Sequence, residues 1–405
     1  MPALRPVAGS SAPRLLPACA LGIAALTSLG AGALLPSGPV RADSSATVEA
    51  PPAGSATEAS DDGAEVKHLI ETLGLRAAPQ PVRERPGWRA PHIVLVAKGV
   101  KEFLPQLQQA APGVKLIEVG AASARDVASA DAVIGDCSPE LLSRAVHLQW
   151  IQWGAAGVEH CVQQPLVRER RPLVTNMQRL AAPSMAEHVL ALMLALSRHL
   201  PYYLHEQSEG RWAREDAVPV SGDLEGKTLL VVGLGGIGTE VASRAHALGM
   251  RVIATRASGH TGPDYVSYVG LPDEMLKLAR DADFVVNCAP LTPQTTGIFN
   301  REFFETMKRS AFFLSVGRGR STVSADLLSA LSSGRIAGAG LDVVDPEPLP
   351  PDNPLWRAPN LIITPHVSAD TPASQANYAL LLRENLRRYV AGEAMLSVVD
   401  IDRGY

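Results

Sequence analysis

The chain has 405 residues, 46% of them hydrophobic and 19% charged, which is enough to bury the cores of two domains. A formal net charge of −4 without a basic run excludes a nucleic-acid footprint. Only four cysteines occur, Cys19, Cys137, Cys161 and Cys288, and their spacing fits neither a zinc site nor a disulfide framework, so no metal centre is expected.

Residues 1–42 have the layout of a secretory signal. Arg5 and Arg14 precede an apolar, alanine-rich run over 15–35, Val40-Arg41-Ala42 resembles a small-x-small cleavage site, and the first acid is Asp43. Pro17 and several glycines work against a spanning helix here, and the apolar helix expected at 185–200 is interrupted by Glu187, His188 and Arg198, so no membrane insertion of the mature chain is expected. Leu16-Pro17-Ala18-Cys19 resembles a lipobox but sits at the start of the apolar run instead of its end. An organelle transit peptide and a start codon assigned too far upstream are the competing readings. The expected location is therefore exported or periplasmic, with cytoplasmic or organellar as alternatives; no twin-arginine pair precedes the run. Residues 43–65 are rich in Ala, Ser, Pro and Gly and read as a disordered linker.

From about His68 the pattern is α/β. Strands are expected at 92–97, 115–119, 132–134 and 148–153, with helices at 100–110 and 138–146, the latter capped by Ser138. Strands alternating with helices imply a parallel sheet, whose ligands lie beyond the strand C-termini. The turns Gly135–Cys137 and Gly154–Gly157 are thereby candidates to line a site. Residues 185–200 read as one long buried helix carrying the chain into a second domain, and 205–223 as a polar connection containing Trp212. Cys137 reads as a plain small residue, Cys288 as strand packing, and Trp150, Trp153, Trp212 and Trp356 as packing side chains.

Residues 228–240, TLLVVGLGGIGTE, carry the strongest signal in the chain. An unbroken apolar strand runs into Gly233-x-Gly235-x-x-Gly238 and then into helical composition, the context in which this glycine pattern binds a dinucleotide. Gly233 permits the tight turn, Gly235 lets a pyrophosphate approach the backbone, and Gly238 lets helix and strand pack closely. The helix N-terminus then faces the phosphates with unpaired N–H groups. Further strands are expected at 251–255, 284–288, 312–315, 338–343 and 361–364, with a closing helix at 371–391.

Three more strings lie at expected strand C-termini in this second unit. They are Ser315-Val316-Gly317-Arg318-Gly319, Gly340-Leu341-Asp342-Val343 leading to Glu347-Pro348, and Thr364-Pro365-His366. An Arg, a Glu and a His on one crevice are what a ketone reduction needs. The Arg forks onto a carboxylate, the His donates a proton to the carbonyl oxygen, and the Glu orients the imidazole and favours its protonated form. Arg320 is the rival of Arg318, and the strand-Arg-Gly context favours Arg318.

Together these strings resemble the D-isomer-specific 2-hydroxyacid dehydrogenase family over about residues 90–405. Matching stretches also include Trp150-Ile151-Gln152 to Gly157-Val158, Ala186-Glu187-His188, and Cys288-Ala289-Pro290-Leu291-Thr292. The resemblance implies an α/β protein with two doubly wound parallel sheets. A Rossmann dinucleotide domain (188–367) would be inserted into a flavodoxin-like substrate domain built from 66–187 and 368–405. It implies catalysis by Arg318, Glu347 and His366, and a substrate carboxylate held by Arg318 and the Ala155-Ala156-Gly157 backbone. The cofactor would be held by Gly233, Gly235, Gly236, Ile237, Gly238, Ala289, Pro290, Val316, Gly317 and Asp342, with Asp342 at the family's nicotinamide-carboxamide position. A homodimer through the dinucleotide domain is also implied.

One position departs from the commonest pattern. NAD-specific folds place an acid after the second strand, whereas Ala254-Thr255-Arg256-Ala257-Ser258 has Arg256 there. A guanidinium can pair with a 2′-phosphate, so NADP(H) is favoured and NAD(H) is the alternative. The expected activity is reduction of a small 2-oxoacid such as glyoxylate or hydroxypyruvate to the D-2-hydroxyacid. The alternatives are a non-catalytic, dinucleotide-sensing, corepressor-like protein, and formate- or phosphite-type oxidation on the same fold.

Overall fold

The computed structural model describes residues 58–214 and 222–405. The expected signal segment and the expected linker up to residue 57 lie outside the described residues. Two parallel sheets organise the rest. The first holds β1 (Ile93–Val96), β2 (Lys115–Glu118), β3 (Ala132–Ile134), β4 (Trp150–Gln152) and β5 (Leu173–Thr175), in the order β2-β1-β3-β4-β5. The second holds β6 (Thr228–Val232), β7 (Arg251–Thr255), β8 (Val266–Gly270), β9 (Phe284–Asn287), β10 (Phe312–Ser315), β11 (Gly338–Leu341) and β12 (Leu361–Ile363), in the order β12-β11-β10-β9-β6-β7-β8. These are the flavodoxin-like and Rossmann strand orders, each with one switch point where a ligand crevice opens.

The strands form where apolar runs lack alternation. Thr228–Val232 is buried at every position, as a strand covered by helices on both faces must be. The two strands absent from the sequence reading are β5 and β8. β5 has only three residues, and β8 exposes Ser267 and Tyr268 at the sheet edge.

Helix Ala182–Ser197 links the lobes. Its Ala186, Val189, Leu192 and Met193 pack into the second lobe's core with Val241, Ala242 and Ala245 of helix Gly236–Ala247. It begins three residues before the expected start and stops at Ser197, and a separate helix, Leu200–Ser208, occupies part of the expected polar connection. Trp212 in that connection is 90% exposed and Trp356 is 50% exposed, so neither packs as expected. Trp150, in contrast, is fully buried and stacks on Tyr389 of helix Pro372–Ala391 with ring centroids 4.7 Å apart. Its Nε1 donates to Thr175 Oγ1 (2.8 Å), that hydroxyl donates to Gln152 Oε1 (2.8 Å), and Asn385 Nδ2 donates to the same oxygen (2.9 Å). The returning C-terminal helix is thus tied to the first sheet through a satisfied buried network.

Two expectations are corrected here. The stretch expected to be linker to residue 65 is helical from residue 58, in helix Glu58–Leu73. Val66, Leu69 and Leu73 recur at helical spacing and are buried, with Leu69 and Leu73 in the first lobe's core. The cysteines also pair: Cys137 and Cys161 form a disulfide with Cα atoms 5.4 Å apart. Spacing alone could not reveal this, because the bond joins the loop after β3 to helix Glu159–Val162, which follows the neighbouring β4. Closing a loop across a sequence separation of 24 stabilises by about 3 kcal/mol in the chain-entropy picture. Cys288 lies just past β9 instead of within it, and burial pushes its thiol up to about 12. Among the described residues no helix is long and apolar enough to cross a membrane.

Candidate active site

Parallel pairing sets the site. β10 lies beside β11, and β11 beside β12, with Ser315 opposite Leu341 and Leu341 opposite Ile363. Their C-terminal loops therefore emerge side by side, and those loops carry Arg318, Glu347 and His366. The loops touch: a Cβ on Gly319 would lie 1.8 Å from the Val344 carbonyl oxygen. Only glycine permits that approach.

His366 Nδ1 meets Glu347 Oε2 at 2.8 Å. The other carboxylate oxygen, Glu347 Oε1, accepts from the Val344 N–H at 3.0 Å, which fixes the acid. The backbone of His366 sits at φ 57, a left-handed conformation that few non-glycine residues adopt. Its N–H donates to the Asp342 carbonyl at 2.9 Å. Asp342 is 1% exposed, and its carboxylate accepts from the Thr364 hydroxyl (2.7 Å) and from the Val367 and Ser368 N–H groups (3.0 and 3.1 Å). Burial alone would raise its carboxyl, but these hydrogen bonds outweigh burial and hold it below the usual range. His188 on the linking helix reaches the same group, with Nε2 2.9 Å from Thr364 Oγ1. Asp342 thus braces the loop that carries His366.

Arg318 crosses to the other lobe. Its Nε donates to Glu159 Oε1 at 2.7 Å and its Nη1 to the Gly317 carbonyl at 2.8 Å. A Cβ on Gly157 would lie 1.7 Å from Arg318 Nη2, so the guanidinium rests on that glycine. Arg320 is exposed. The turn after β4 presents backbone: the carbonyls of Ala155, Ala156 and Gly157 accept from the Met177 N–H (3.2 Å), Asn176 Nδ2 (2.7 Å) and Trp153 Nε1 (2.7 Å). The N–H groups of those three residues have no partner among the described residues, so the turn can offer donors to an anion. Glu159 was missed in the sequence reading, since nothing local marks a carboxylate whose partner is 159 residues away.

The glycine turn lies at the switch point between β6 and β9. Gly233 has φ 96, and a Cβ there would lie 2.8 Å from the Ala289 backbone. A Cβ on Gly238 would lie 2.2 Å from the Gly233 carbonyl oxygen, whereas nothing lies within 4 Å of one built on Gly235. The turn is therefore tight behind and open in front, with the N-terminus of helix Gly236–Ala247 and half-buried Ile237 beside it. Gly317 abuts the other wall: a Cβ there would lie 2.8 Å from the Ala289 carbonyl oxygen. Val316 and Ala289 are buried, and Pro290 follows as an exposed residue. This cradle fits a dinucleotide. Arg256 is the first residue after β7, and its Nη1 donates to the Thr261 carbonyl at 2.9 Å.

Comparison with known proteins gives the same picture. The family described as D-isomer specific 2-hydroxyacid dehydrogenase, NAD binding domain, matches residues 190–368. A glyoxylate reductase/hydroxypyruvate reductase from Mus musculus is 32% identical over 252 residues, 62% of this chain and 76% of that protein. A D-3-phosphoglycerate dehydrogenase from Methanocaldococcus jannaschii is 33% identical over 264 residues, 65% of this chain; the chain spans only 49% of that relative's length. Among solved structures, the NADPH-dependent glyoxylate/hydroxypyruvate reductase from Sinorhizobium meliloti, in complex with NADP and sulfate, superposes with a TM-score of 0.68 at 28% identity. That match covers 78% of this chain and 100% of the other.

Proposed function

We propose, for a chain that belongs to the D-isomer specific 2-hydroxyacid dehydrogenase family, the NADPH-dependent reduction of a small 2-oxoacid to its D-2-hydroxyacid. The chain is an NAD(P)-dependent oxidoreductase that interconverts 2-oxoacids and 2-hydroxyacids. The observation that carries the reading is the Glu347–His366 pair on loops adjoining that of Arg318, beside the open glycine turn.

The dihydronicotinamide, when bound, supplies the hydride for the carbonyl carbon. Arg318 holds the substrate carboxylate: Nε and one N–H of Nη1 are committed, so the second Nη1 N–H, Nη2 and the N–H groups of the 155–157 turn are the donors left for it. His366 has Nδ1 on Glu347, which leaves Nε2 to give its proton to the carbonyl oxygen. Glu347 positions the imidazole and offsets the charge it carries. Arg318, bonded to Glu159 across the cleft, closes it against water before transfer. Glyoxylate and hydroxypyruvate are the substrates to try first, because the mouse relative and the Sinorhizobium meliloti enzyme are named for them. NADPH consumption with either at kcat/KM above that for longer 2-oxoacids is the expected result, and preference for a long side chain contradicts the small-substrate reading.

NADPH is preferred because Arg256 stands where an NAD-specific fold places an acid. Arg256→Asp should lower the NADPH/NADH ratio of kcat/KM by about 10-fold or more, the scale of one lost charge-assisted pair. An unchanged ratio contradicts this part of the reading. The enzyme works as a homodimer, which light scattering would register as twice the chain mass.

Export to an oxidising compartment belongs to the same proposal. Its supports are the signal-like layout of residues 1–42 and the Cys137–Cys161 disulfide, a bond that reducing cytosol rarely preserves. N-terminal sequencing of the protein from its own cell fractions tests this. A start at Asp43 in an exported fraction is expected, and an intact Met1 in cytosol rejects it.

A further inference from the structure

Away from Glu347 and His366, a hollow of about 100 Å³ opens between Arg76, Gln178, Arg179, Arg256 and Ser397. Its wall comes from both lobes. Arg256 directly follows β7 of the dinucleotide lobe, whereas Arg76, Gln178, Arg179 and Ser397 belong to the substrate lobe. Arg179 precedes the linking helix and lies across the first turn of helix Gly236–Ala247: a Cβ on Gly236 would fall 2.7 Å from Arg179 Cγ. The hollow is therefore beside the phosphate turn and at the end of the second strand of the Rossmann sheet. That is where such folds place the adenosine ribose.

Three guanidiniums here share one small space without an acid. Among the described residues no carboxylate lies within ion-pair distance of Arg76, Arg179 or Arg256. Burial, then the charges of Arg76 and Arg256, pull Arg179 below its usual range; the one nearby acid, Glu240, is already paired with Arg244. Arg179 and Arg256 are each held by a carbonyl, Leu73 (3.3 Å) and Thr261 (2.9 Å). Ser397 adds an independent sign. It is 1% exposed, and its Oγ is buried with no hydrogen-bond partner, although nearly every such group in a folded protein has one. Like charges gathered around a hollow are what an anion would complete, and Ser397, with its unpaired hydroxyl, is among the residues lining it. The space is large enough for a phosphate group.

We propose that Arg76 and Arg179 of the substrate lobe join Arg256 to hold the 2′-phosphate of the dinucleotide, with Ser397 as a further donor. This rests on the NADPH reading above. It makes specificity for the phosphorylated cofactor a property of both lobes, and it makes the cofactor's adenosine end a tie across the cleft. Arg76 and Arg179 are then specificity-determining residues that no local pattern in the sequence marks.

The test is equilibrium binding to the full chain, with 2′,5′-ADP and 5′-AMP as probes and inorganic phosphate as the free-anion control. Arg76→Gln and Arg179→Gln should each weaken 2′,5′-ADP at least 10-fold while leaving 5′-AMP within about 2-fold. Arg179→Lys, which keeps the charge but loses the fork, should fall between wild type and Arg179→Gln. An equal loss for both probes would overturn the proposal, because it would mean a general packing or pyrophosphate role. So would unchanged 2′,5′-ADP binding, or saturable phosphate binding that 2′,5′-ADP does not displace. If only Arg256→Asp erases the preference for 2′,5′-ADP, the two-lobe pocket fails and the NADPH reading stands. If wild type shows no preference, both fail.

Discussion

Replacing His366 with Asn should lower kcat for 2-oxoacid reduction by about 100- to 10,000-fold, the usual contribution of a positioned general acid. The substitution is chosen to keep the loop. The backbone of His366 is held at φ 57 by its N–H bond to the Asp342 carbonyl, and Asn tolerates that conformation better than most residues. What Asn lacks is an acidic proton to transfer: its amide N–H can hydrogen-bond but not act as a general acid. Dinucleotide affinity should be unchanged, because the glycine turn after β6 is untouched. Stopped-flow hydride transfer, beside a cofactor titration, separates the two. Glu347→Gln should cost less, since an amide can still accept from Nδ1 but carries no charge to support the imidazolium. Turnover near wild type in the Asn variant would remove His366 from the mechanism.

The second large effect is expected at Arg318. Arg318→Gln should cost about 2–5 kcal/mol of transition-state stabilisation, roughly 30- to 4,000-fold in kcat/KM, as when one partner of a desolvated charge pair is truncated. Gly157→Ala is the sharper experiment because it removes no charge. The new Cβ would claim a point 1.7 Å from Arg318 Nη2 and 2.6 Å from Cζ, so the guanidinium must leave. The two variants should therefore fail alike, and the double variant should be little worse than either, as expected for residues acting through one contact. Additive losses would mean that Gly157 serves the turn and not Arg318.

The parts of this architecture that could be read in advance were those with local causes. Unbroken apolar runs marked β6, β7 and β10 to the residue, and the glycine pattern after β6 announced a turn whose tight back and open front are visible in the neighbours of Gly233, Gly238 and Gly235. Arg318 and His366 could be picked because each follows a strand end, whereas Glu347, in a Pro-rich loop, could be picked only through the family resemblance. What stayed hidden depends on pairing at a distance. Glu159 meets Arg318 only because two lobes face each other, and Cys137 meets Cys161 only because β3 lies beside β4. Arg76 and Arg179 look like ordinary surface arginines until the fold sets them against Arg256. Helix Glu58–Leu73 was hidden differently: Val66, Leu69 and Leu73 do carry the helical spacing, but linker-like composition upstream masks it.

The central claim is that this chain reduces a 2-oxoacid with a phosphorylated nicotinamide cofactor and sets one configuration at the new alcohol. The most direct test is to incubate the purified protein with NADPH and hydroxypyruvate, follow cofactor consumption, and resolve the product by chiral chromatography. One D-glycerate formed per NADPH consumed is the predicted result. Dinucleotide binding without product, or L-glycerate, would contradict it.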